Sequence, residues 1–132
     1  MKIYVAGPLA DVERVRAVQV AVVAAGHELT LDWTRGSDAV LREGYSSAPD
    51  LAAKIATDDL EAVLNADAVL VVMSEHDGRG MFVELGVALT RARRGELEHL
   101  VVLGPIHHES VFYFHPAVQR MSAVEEWLVS VA

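Results

Sequence analysis

The sequence predicts a three-layer α/β/α fold with a mostly parallel, five-stranded sheet. Short apolar stretches alternate along the chain with longer segments whose apolar residues recur at helical spacing. The stretch "ADAVLVVM" (Ala66–Met73) is almost continuously apolar, which is typical of a central strand covered on both faces. The first two apolar stretches are joined through one helix by short connections, which favours parallel pairing with a right-handed crossover.

The first third of the chain predicts one strand–helix–strand unit. "KIYVA" (Lys2–Ala6) has the length and composition of a short buried strand. The helix is predicted over Asp11–Ala25, with Gly26 as its C-terminal cap. "HELTLDW" (His27–Trp33) is then predicted as the second strand.

The middle of the chain contains its least regular segment. Thr34–Asp50 is rich in Gly, Ser, Asp and Arg, and a loop this long in a small domain is typical of a binding loop. A helix is predicted over Leu51–Asn65, followed by the central strand described above. The next helix is predicted over Gly80–Arg93 and ends at Gly95.

The last third predicts two further strands and a terminal helix. The strands are "HLVVLG" (His99–Gly104) and an edge strand "VQRM" (Val118–Met121). Ser122 and Glu125 match the S-x-x-E capping box at the start of the helix. The whole chain, 1–132, is expected to form a single domain of the Rossmann or flavodoxin-like type.

Composition bounds the partners and the compartment. The chain has 52% hydrophobic and 23% charged residues, no cysteine, and a net charge of −8. The acidic balance argues against nucleic acid as a partner, and no apolar run approaches the roughly 18 residues that span a membrane. With no signal peptide pattern at the start, a cytoplasmic protein is expected. Neither a cofactor nor a metal is expected, since the histidine-rich region contains no H-x-x-x-H or H-E-x-x-H spacing; its candidate ligands are His107, His108, Glu109 and His115.

Ligands of such sheets bind beyond the carboxyl ends of the strands, near the topological switch point. That edge is predicted to collect Gly7 and Pro8, Asp32 and Trp33, and the loop within "HDGRGMFVELG" (His76–Gly86). Glu84 then lies near the start of a helix among apolar residues. A carboxylate that is ionised but poorly solvated is a good nucleophile toward a sugar carbon. A helix-start glutamate that faces water and complements the helix dipole is the alternative.

Three segments in order resemble the nucleoside 2-deoxyribosyltransferase family. They are "KIYVAGPL", "DDLEAVLNADAVLVV" and "GMFVELGVAL", and the resemblance extends from Met1 to about Gly104. The family includes relatives that hydrolyse deoxynucleoside or pyrimidine nucleoside monophosphates. The most specific element is Gly80 followed by Glu84-Leu85-Gly86.

The resemblance implies a role for each matching position. Glu84 matches the nucleophile that forms a glycosyl-enzyme intermediate, and Tyr4 matches a tyrosine whose hydroxyl orients it. Asp59 matches the aspartate that contacts the base and assists its protonation. Gly7 and Pro8 match a tight turn that lets the backbone approach the ligand. From the residues alone, Tyr4 is better explained as a strand aromatic that fills the core. For Asp59, as for its neighbour Asp58, the alternative is a solvated acid in the early turns of a helix.

Three further positions either depart from the family pattern or have two possible roles. Asp77 corresponds to a loop aspartate that holds the base, but it lies one residue farther from Glu84 than in the transferases. Arg79, beside Gly80 at the helix start, either binds a 5′-phosphate or is surface charge. Trp33 either stacks on a base or is a half-buried aromatic at a strand end.

The expected activity is cleavage of the N-glycosidic bond of a (2′-deoxy)nucleoside or its 5′-monophosphate. Transfer of the deoxyribosyl group to another base is the leading expectation for the second step. Hydrolysis of a nucleoside monophosphate is the alternative, and a non-catalytic nucleotide-binding module is a second one. The cytokinin-activating phosphoribohydrolases are disfavoured because their "PGG-G-T" string is absent. A phosphorelay receiver is disfavoured because "AGPL" and "LGPI" lack its acids and lysine. The partners expected are a small-molecule nucleoside or nucleotide and further copies of the chain, since a neighbouring subunit completes the site in related enzymes.

Overall fold

A computed structural model describes residues 1–35 and 44–132. Its five strands form one sheet with the order β2-β1-β3-β4-β5, and every pairing between neighbouring strands is parallel. The strands are β1 (Lys2–Ala6), β2 (Glu28–Leu29), β3 (Ala68–Val72), β4 (His99–Leu103) and β5 (Gln119–Met121). The predicted α/β fold with a five-stranded sheet is confirmed.

The α-helices described are α1 (Val12–Ala24), α2 (Pro49–Leu64), α3 (Arg79–Arg93) and α4 (Val124–Ser130). Short 3₁₀ turns add Leu9–Asp11, Tyr45–Ser47 and Val111–Phe114. The helix bounds lie within two residues of those predicted. The largest shift is at the start of α2, where Pro49 provides the first turn because its missing N–H needs no partner there.

The sheet is covered by helices on both faces, as the alternation along β1 shows. Ile3 and Val5 point toward α1 and α4, in a core cluster that includes Trp127. Tyr4 and Ala6 point the opposite way, into a second cluster formed with α2 and α3. The chemistry discussed below lies in this second layer.

The strand order reverses direction at β1. From β1 the chain moves outward to β2 and then crosses to the other side of β1 to form β3. Ligands of open α/β sheets bind beyond the carboxyl ends of the strands at such a switch point, and we call the edge at the carboxyl ends of β1 and β3 the crevice. The predicted switch point is at this crevice.

The prediction for the second strand, His27–Trp33, was too long. Only Glu28 and Leu29 pair with β1, opposite Lys2 and Ile3. The strand ends because Asp32 accepts hydrogen bonds from the amide and hydroxyl of Thr34, which form a local turn.

The predicted capping box of the last helix has a different partner. The amide and hydroxyl of Ser122 both donate to the carboxylate of Glu126 at 3.2 Å, and not to Glu125. The helix begins at Val124, one residue later than the predicted pattern requires. The acid that pairs with Ser122 is therefore also one residue later, at Glu126 and not at Glu125.

The long loop predicted over Thr34–Asp50 lies partly outside the described residues, since 36–43 are not among them. Its last part is ordered into the 3₁₀ turn Tyr45–Ser47 and the start of α2. None of the helices in the described ranges has both the length and the apolar character that a membrane span needs.

Candidate active site

The centre of the site is a hydrogen bond between β1 and α3. Tyr4 is fully buried in the middle of β1 and points into the layer of α2 and α3. Its hydroxyl donates to the carboxylate of Glu84, which lies on the second turn of α3. Two residues 80 positions apart in the chain are thus in direct contact.

Glu84 is a carboxyl group held away from water. Burial raises its pKa to about 8 from an ordinary value of 4.5; the hydrogen bond from Tyr4 lowers the pKa, and the charge of Asp59 raises it. Tyr4 keeps its proton, because burial and then the charge of Glu84 raise the pKa of the phenol. The phenol therefore acts as a fixed donor toward an acceptor whose charge changes with pH.

The paired acids of α2 point in different directions. Asp58 is exposed and forms a salt bridge with Lys54 one turn earlier. Asp59 is half-buried, and burial followed by the charge of Asp58 raises its pKa to about 6. Its charge acts on both Tyr4 and Glu84. Asp59, and not Asp58, is therefore the acid that lies near Tyr4 and Glu84.

The glycines at the crevice serve different purposes. A side chain on Gly7 would meet Val15 of α1 at 2.5 Å, so this glycine lets α1 pack closely on the sheet. A side chain on Gly78 would meet Met81 at 2.9 Å and the backbone of Pro8 at 3.2 Å, which brings the β1 and β3 loops together. Gly80 is exposed, and a side chain there would meet no described atom within 4 Å, so no steric requirement for glycine is seen at this position. Gly78 was not singled out from the sequence, since a steric requirement has no local signature.

Trp33 is anchored by its indole edge. Its Nε1 donates to the carbonyl of Val5 at 2.7 Å, and the ring packs against both core clusters. The neighbouring Asp32 is engaged in its own turn: burial alone would raise its pKa, but hydrogen bonds from Thr34 and Arg35 lower it. Stacking of Trp33 on a base remains a prediction.

Asp77 and Arg79 flank the start of α3 and are both exposed. Asp77 lies near Tyr113, since its charge, after burial, raises the pKa of that phenol. Tyr113 is buried and stacks on Phe82 of α3, with ring centroids 6.0 Å apart. The 3₁₀ turn that contains Tyr113 therefore packs against the start of α3 and lies near the loop that contains Asp77.

Arg14 is a cation at the crevice that the sequence did not reveal. It projects from the first turn of α1, and its Nη1 donates to the carbonyl of Met73 at 3.0 Å, directly after β3. Half of its side chain is exposed, and Asp11 lies 3.7 Å from its Nε. An arginine in a helix has no motif of its own, so only the fold brings it to this edge.

The histidine-rich segment is spread over separate contacts. His108 hydrogen-bonds the carbonyl of Glu75, and His115 accepts from the amide of Ala117. In residues 1–35 and 44–132, no three histidine or acidic side chains converge in a way that would hold a metal ion.

An apolar groove of about 470 Å³ lies on another flank of α3. We call it the α3 groove; its lining residues are Phe82, Leu85, Gly86, Leu89, Thr90, Arg93, Arg94, Phe112 and His115. Neither Tyr4, Asp59 nor Glu84 lines it, so the α3 groove is separate from the site described above.

Taken together, the arrangement offers a carboxylate with a fixed hydrogen-bond donor and a second acid whose pKa is close to neutrality. Two titratable groups in different environments are the usual requirement for one group to attack while the other transfers a proton. Gly80 is exposed on the first turn of the same helix as Glu84, and Tyr4 lies on β1, the strand at which the sheet order reverses.

Comparisons with known proteins identify the fold. No protein-family model and no curated protein matches the sequence. Among solved structures, the chain is similar to a CMP N-glycosidase from Clostridium botulinum, BcmB, with a TM-score of 0.56 and 14% sequence identity. The match covers 99% of this chain and 98% of that one. Over nearly its whole length, the chain therefore has the fold of that N-glycosidase.

Proposed function

We propose that this protein cleaves the N-glycosidic bond of a nucleoside 5′-monophosphate or nucleoside through a covalent intermediate on Glu84. The observation that carries the proposal is the hydrogen bond from the buried Tyr4 hydroxyl to the Glu84 carboxylate, with Asp59 close by. A carboxylate with one oxygen held by a donor keeps its other oxygen free to attack.

In the first step, ionised Glu84 attacks the anomeric carbon of the sugar and forms an ester bond to it. The bond from that carbon to the base nitrogen breaks, and its electron pair leaves with the base. Protonated Asp59 supplies the proton that the leaving base needs. Because the pKa of Glu84 is about 8 and that of Asp59 about 6, most of the singly protonated pair carries its proton on Glu84, and the reactive form is the minor one in which Glu84 is ionised and Asp59 holds the proton.

In the second step, an acceptor attacks the same carbon and releases Glu84 as a carboxylate. Water as acceptor loses a proton to the Asp59 carboxylate left by the first step, gives a free sugar phosphate and so completes a hydrolysis that returns Asp59 to its protonated form. A second base as acceptor gives a new nucleoside, and this transfer is the leading expectation from the sequence resemblance. We favour water, because the solved structure with the same fold is named as an N-glycosidase of CMP.

The crevice also has positive groups for a 5′-phosphate. Arg14 lies at the carboxyl end of β3, and Arg79 opens α3, where backbone amides already favour an anion. Their presence on a chain with a net charge of −8 supports a nucleotide over a nucleoside as substrate.

The experiment incubates the purified protein with CMP, dCMP and the other (deoxy)nucleoside monophosphates, with the matching nucleosides in parallel. Each reaction runs with and without a second base, and free base is followed by chromatography. Free base without an acceptor, with monophosphates preferred over nucleosides, is the expected result.

A new nucleoside that forms only when an acceptor base is present would establish transfer in place of hydrolysis. Absence of turnover for every candidate, at protein concentrations where the fold is intact by circular dichroism, would overturn the proposal.

A further inference from the structure

Arg91, near the end of α3, connects α3 to the end of α2. Its Nη1 donates to the carbonyls of Val63 at 2.7 Å and Ala66 at 2.9 Å, and its Nη2 donates to the carbonyl of Glu96 at 2.8 Å. The last carbonyls of a helix have no partner within the helix, so a guanidinium that binds them both caps α2 and attaches it to α3.

These contacts lie on the same helix faces as the two acids of the site. Arg91 follows Glu84 by seven residues, or two helical turns, and Val63 follows Asp59 by four, or about one turn. Ala62 of α2 and Ala88 of α3 are buried in the same core cluster, and their small side chains permit close packing. The acids thus lie one to two turns before the contacts of Arg91 along the paired helices.

The spacing of the two acids controls the chemistry assigned to them. The interaction between two partly buried charges falls with distance and with entry of water between them. No covalent link and no salt bridge between α2 and α3 is present among the described residues. Among the side-chain hydrogen bonds of the described residues, the bond from Arg91 to the carbonyl of Val63 joins α3 to α2, and the bond to Ala66 extends it to the residues that follow α2.

We propose that Arg91 is a positioning residue that fixes α2 against α3 and so sets the separation of Asp59 and Glu84. The catalytic meaning of that separation rests on the function proposed above for the two acids. Arg91 itself touches neither the substrate nor the reacting atoms.

The test compares Arg91→Leu, Arg91→Lys and the control Arg93→Leu. Arg93 is on the same helix and exposed, and it makes no hydrogen bond or ion pair with residues 1–35 and 44–132. The readout is the titration of the Glu84 carboxyl by ¹³C NMR, which needs no turnover. The titratable groups that act on Glu84 are Tyr4 of β1 and Asp59 of α2, and Asp58 acts on Asp59.

If Arg91 positions the helices, Arg91→Leu lets water in and moves Asp59 away. Both changes lower the pKa of Glu84 from about 8 toward its ordinary value, by about one unit or more. Arg91→Lys restores part of the difference, because an ammonium can still bind one carbonyl, and Arg93→Leu titrates like the wild type. Where turnover is measured, kcat of Arg91→Leu falls by about 10- to 100-fold with KM nearly unchanged.

A folded Arg91→Leu protein whose Glu84 titrates as in the wild type would overturn the proposal and leave Arg91 a local cap of α2. Should Arg91→Leu fail to fold, the same titration is made on Arg91→Met, which keeps an unbranched apolar stem but has no donor, and an unchanged pKa there has the same meaning. Because the titration is independent of substrate, failure of the proposed activity would be seen separately.

Discussion

At the scale of single residues, Glu84 is held between opposing influences. Burial disfavours its charge, while the hydroxyl of Tyr4 favours it, and the result is a pKa of about 8. The native state therefore binds this proton more tightly than the unfolded chain does. Between about pH 4.5 and pH 8 the unfolded state binds fewer protons at Glu84 than the native state does. The contribution of Glu84 to the free energy of unfolding therefore falls as the pH rises through this range.

Replacing the carboxyl by its neutral isostere is expected to stabilise the fold at alkaline pH. Glu84→Gln keeps an acceptor for Tyr4 and removes the cost of a buried charge, so the free energy of unfolding at pH 8 rises by about 1–3 kcal/mol. At pH 5, where the native carboxyl is protonated, the change stays within about 0.5 kcal/mol. Thermal unfolding at both pH values measures this, with the exposed Glu61→Gln as control. Equal changes at both pH values would contradict the assigned burial.

Tyr4→Phe removes the hydroxyl whose hydrogen bond lowers the pKa of Glu84. The pKa then rises further, less Glu84 is ionised at neutral pH, and kcat/KM at pH 6 falls by about 10- to 100-fold. The alkaline limb of the pH–rate profile, which follows the higher pKa of the Glu84–Asp59 pair, should move to higher pH, while the melting temperature changes little because phenylalanine fills the same space. A profile that drops in height without moving would show that Tyr4 acts by another route.

At the scale of elements, the pairing of α2 with α3 decides which acid takes part. The helical phase places Asp59 toward Glu84, whereas Asp58 stands in solvent with Lys54. The two groups with raised pKa values form an interacting pair, so their titration belongs to the pair as a whole.

The rate is expected to follow a bell-shaped curve with limbs near pH 6 and pH 8. Below the first limb both acids are protonated and Glu84 cannot attack. Above the second both are ionised and Asp59 has no proton to give. Asp59→Asn abolishes the alkaline limb and lowers kcat by about 10²- to 10⁴-fold, while Asp58→Asn stays within about twofold. Equal losses in both variants would remove the distinction between the two acids.

The sequence predicted the elements that carry long, regular patterns. β1, β3 and β4 are continuous apolar runs, and their positions were correct to within two residues. β2 was overextended, because the turn at Asp32 depends on side-chain hydrogen bonds that compete with an alternating strand pattern.

The candidate site was predicted unevenly for a similar reason. Glu84, Tyr4 and Asp59 could be named through a resemblance, and the fold brings them together. Arg14, Gly78 and Arg91 act through contacts with residues distant in sequence, such as Met73, Pro8 and Val63. No local pattern predicts such contacts, because they exist only once the sheet has formed.

At the scale of the whole molecule, several large apolar side chains are exposed near the 3₁₀ turn Val111–Phe114. Val111 is 79% exposed, Phe112 58% and Phe114 54%, next to the α3 groove. Arg93 and Arg94 close that groove, whereas α2 on the same layer has exposed Leu60 and Leu64 beside acidic residues. The chain thus offers an apolar, basic surface and an apolar, acidic one, and a second copy supplies the complement to each.

We therefore expect a homo-oligomer that uses this surface. Light scattering after size exclusion should give a mass at least twice that of the 14.3 kDa chain. Phe112→Asp should shift the protein toward the monomer, while Val20→Asp, at an exposed apolar position of α1, should leave the assembly intact. A wild-type protein that is monomeric at all concentrations would contradict this expectation.

The formation of a sugar ester on Glu84 is the central claim, and trapping it is the most direct measurement. A 2′-deoxy-2′-fluoro nucleoside 5′-monophosphate slows both steps and allows the intermediate to accumulate. Intact-mass spectrometry should show the protein heavier by the fluorosugar phosphate, with the added mass on the peptide that contains Glu84 and none on Glu84→Gln. An adduct on another residue, or full activity of Glu84→Gln toward the parent nucleotide, would contradict the account.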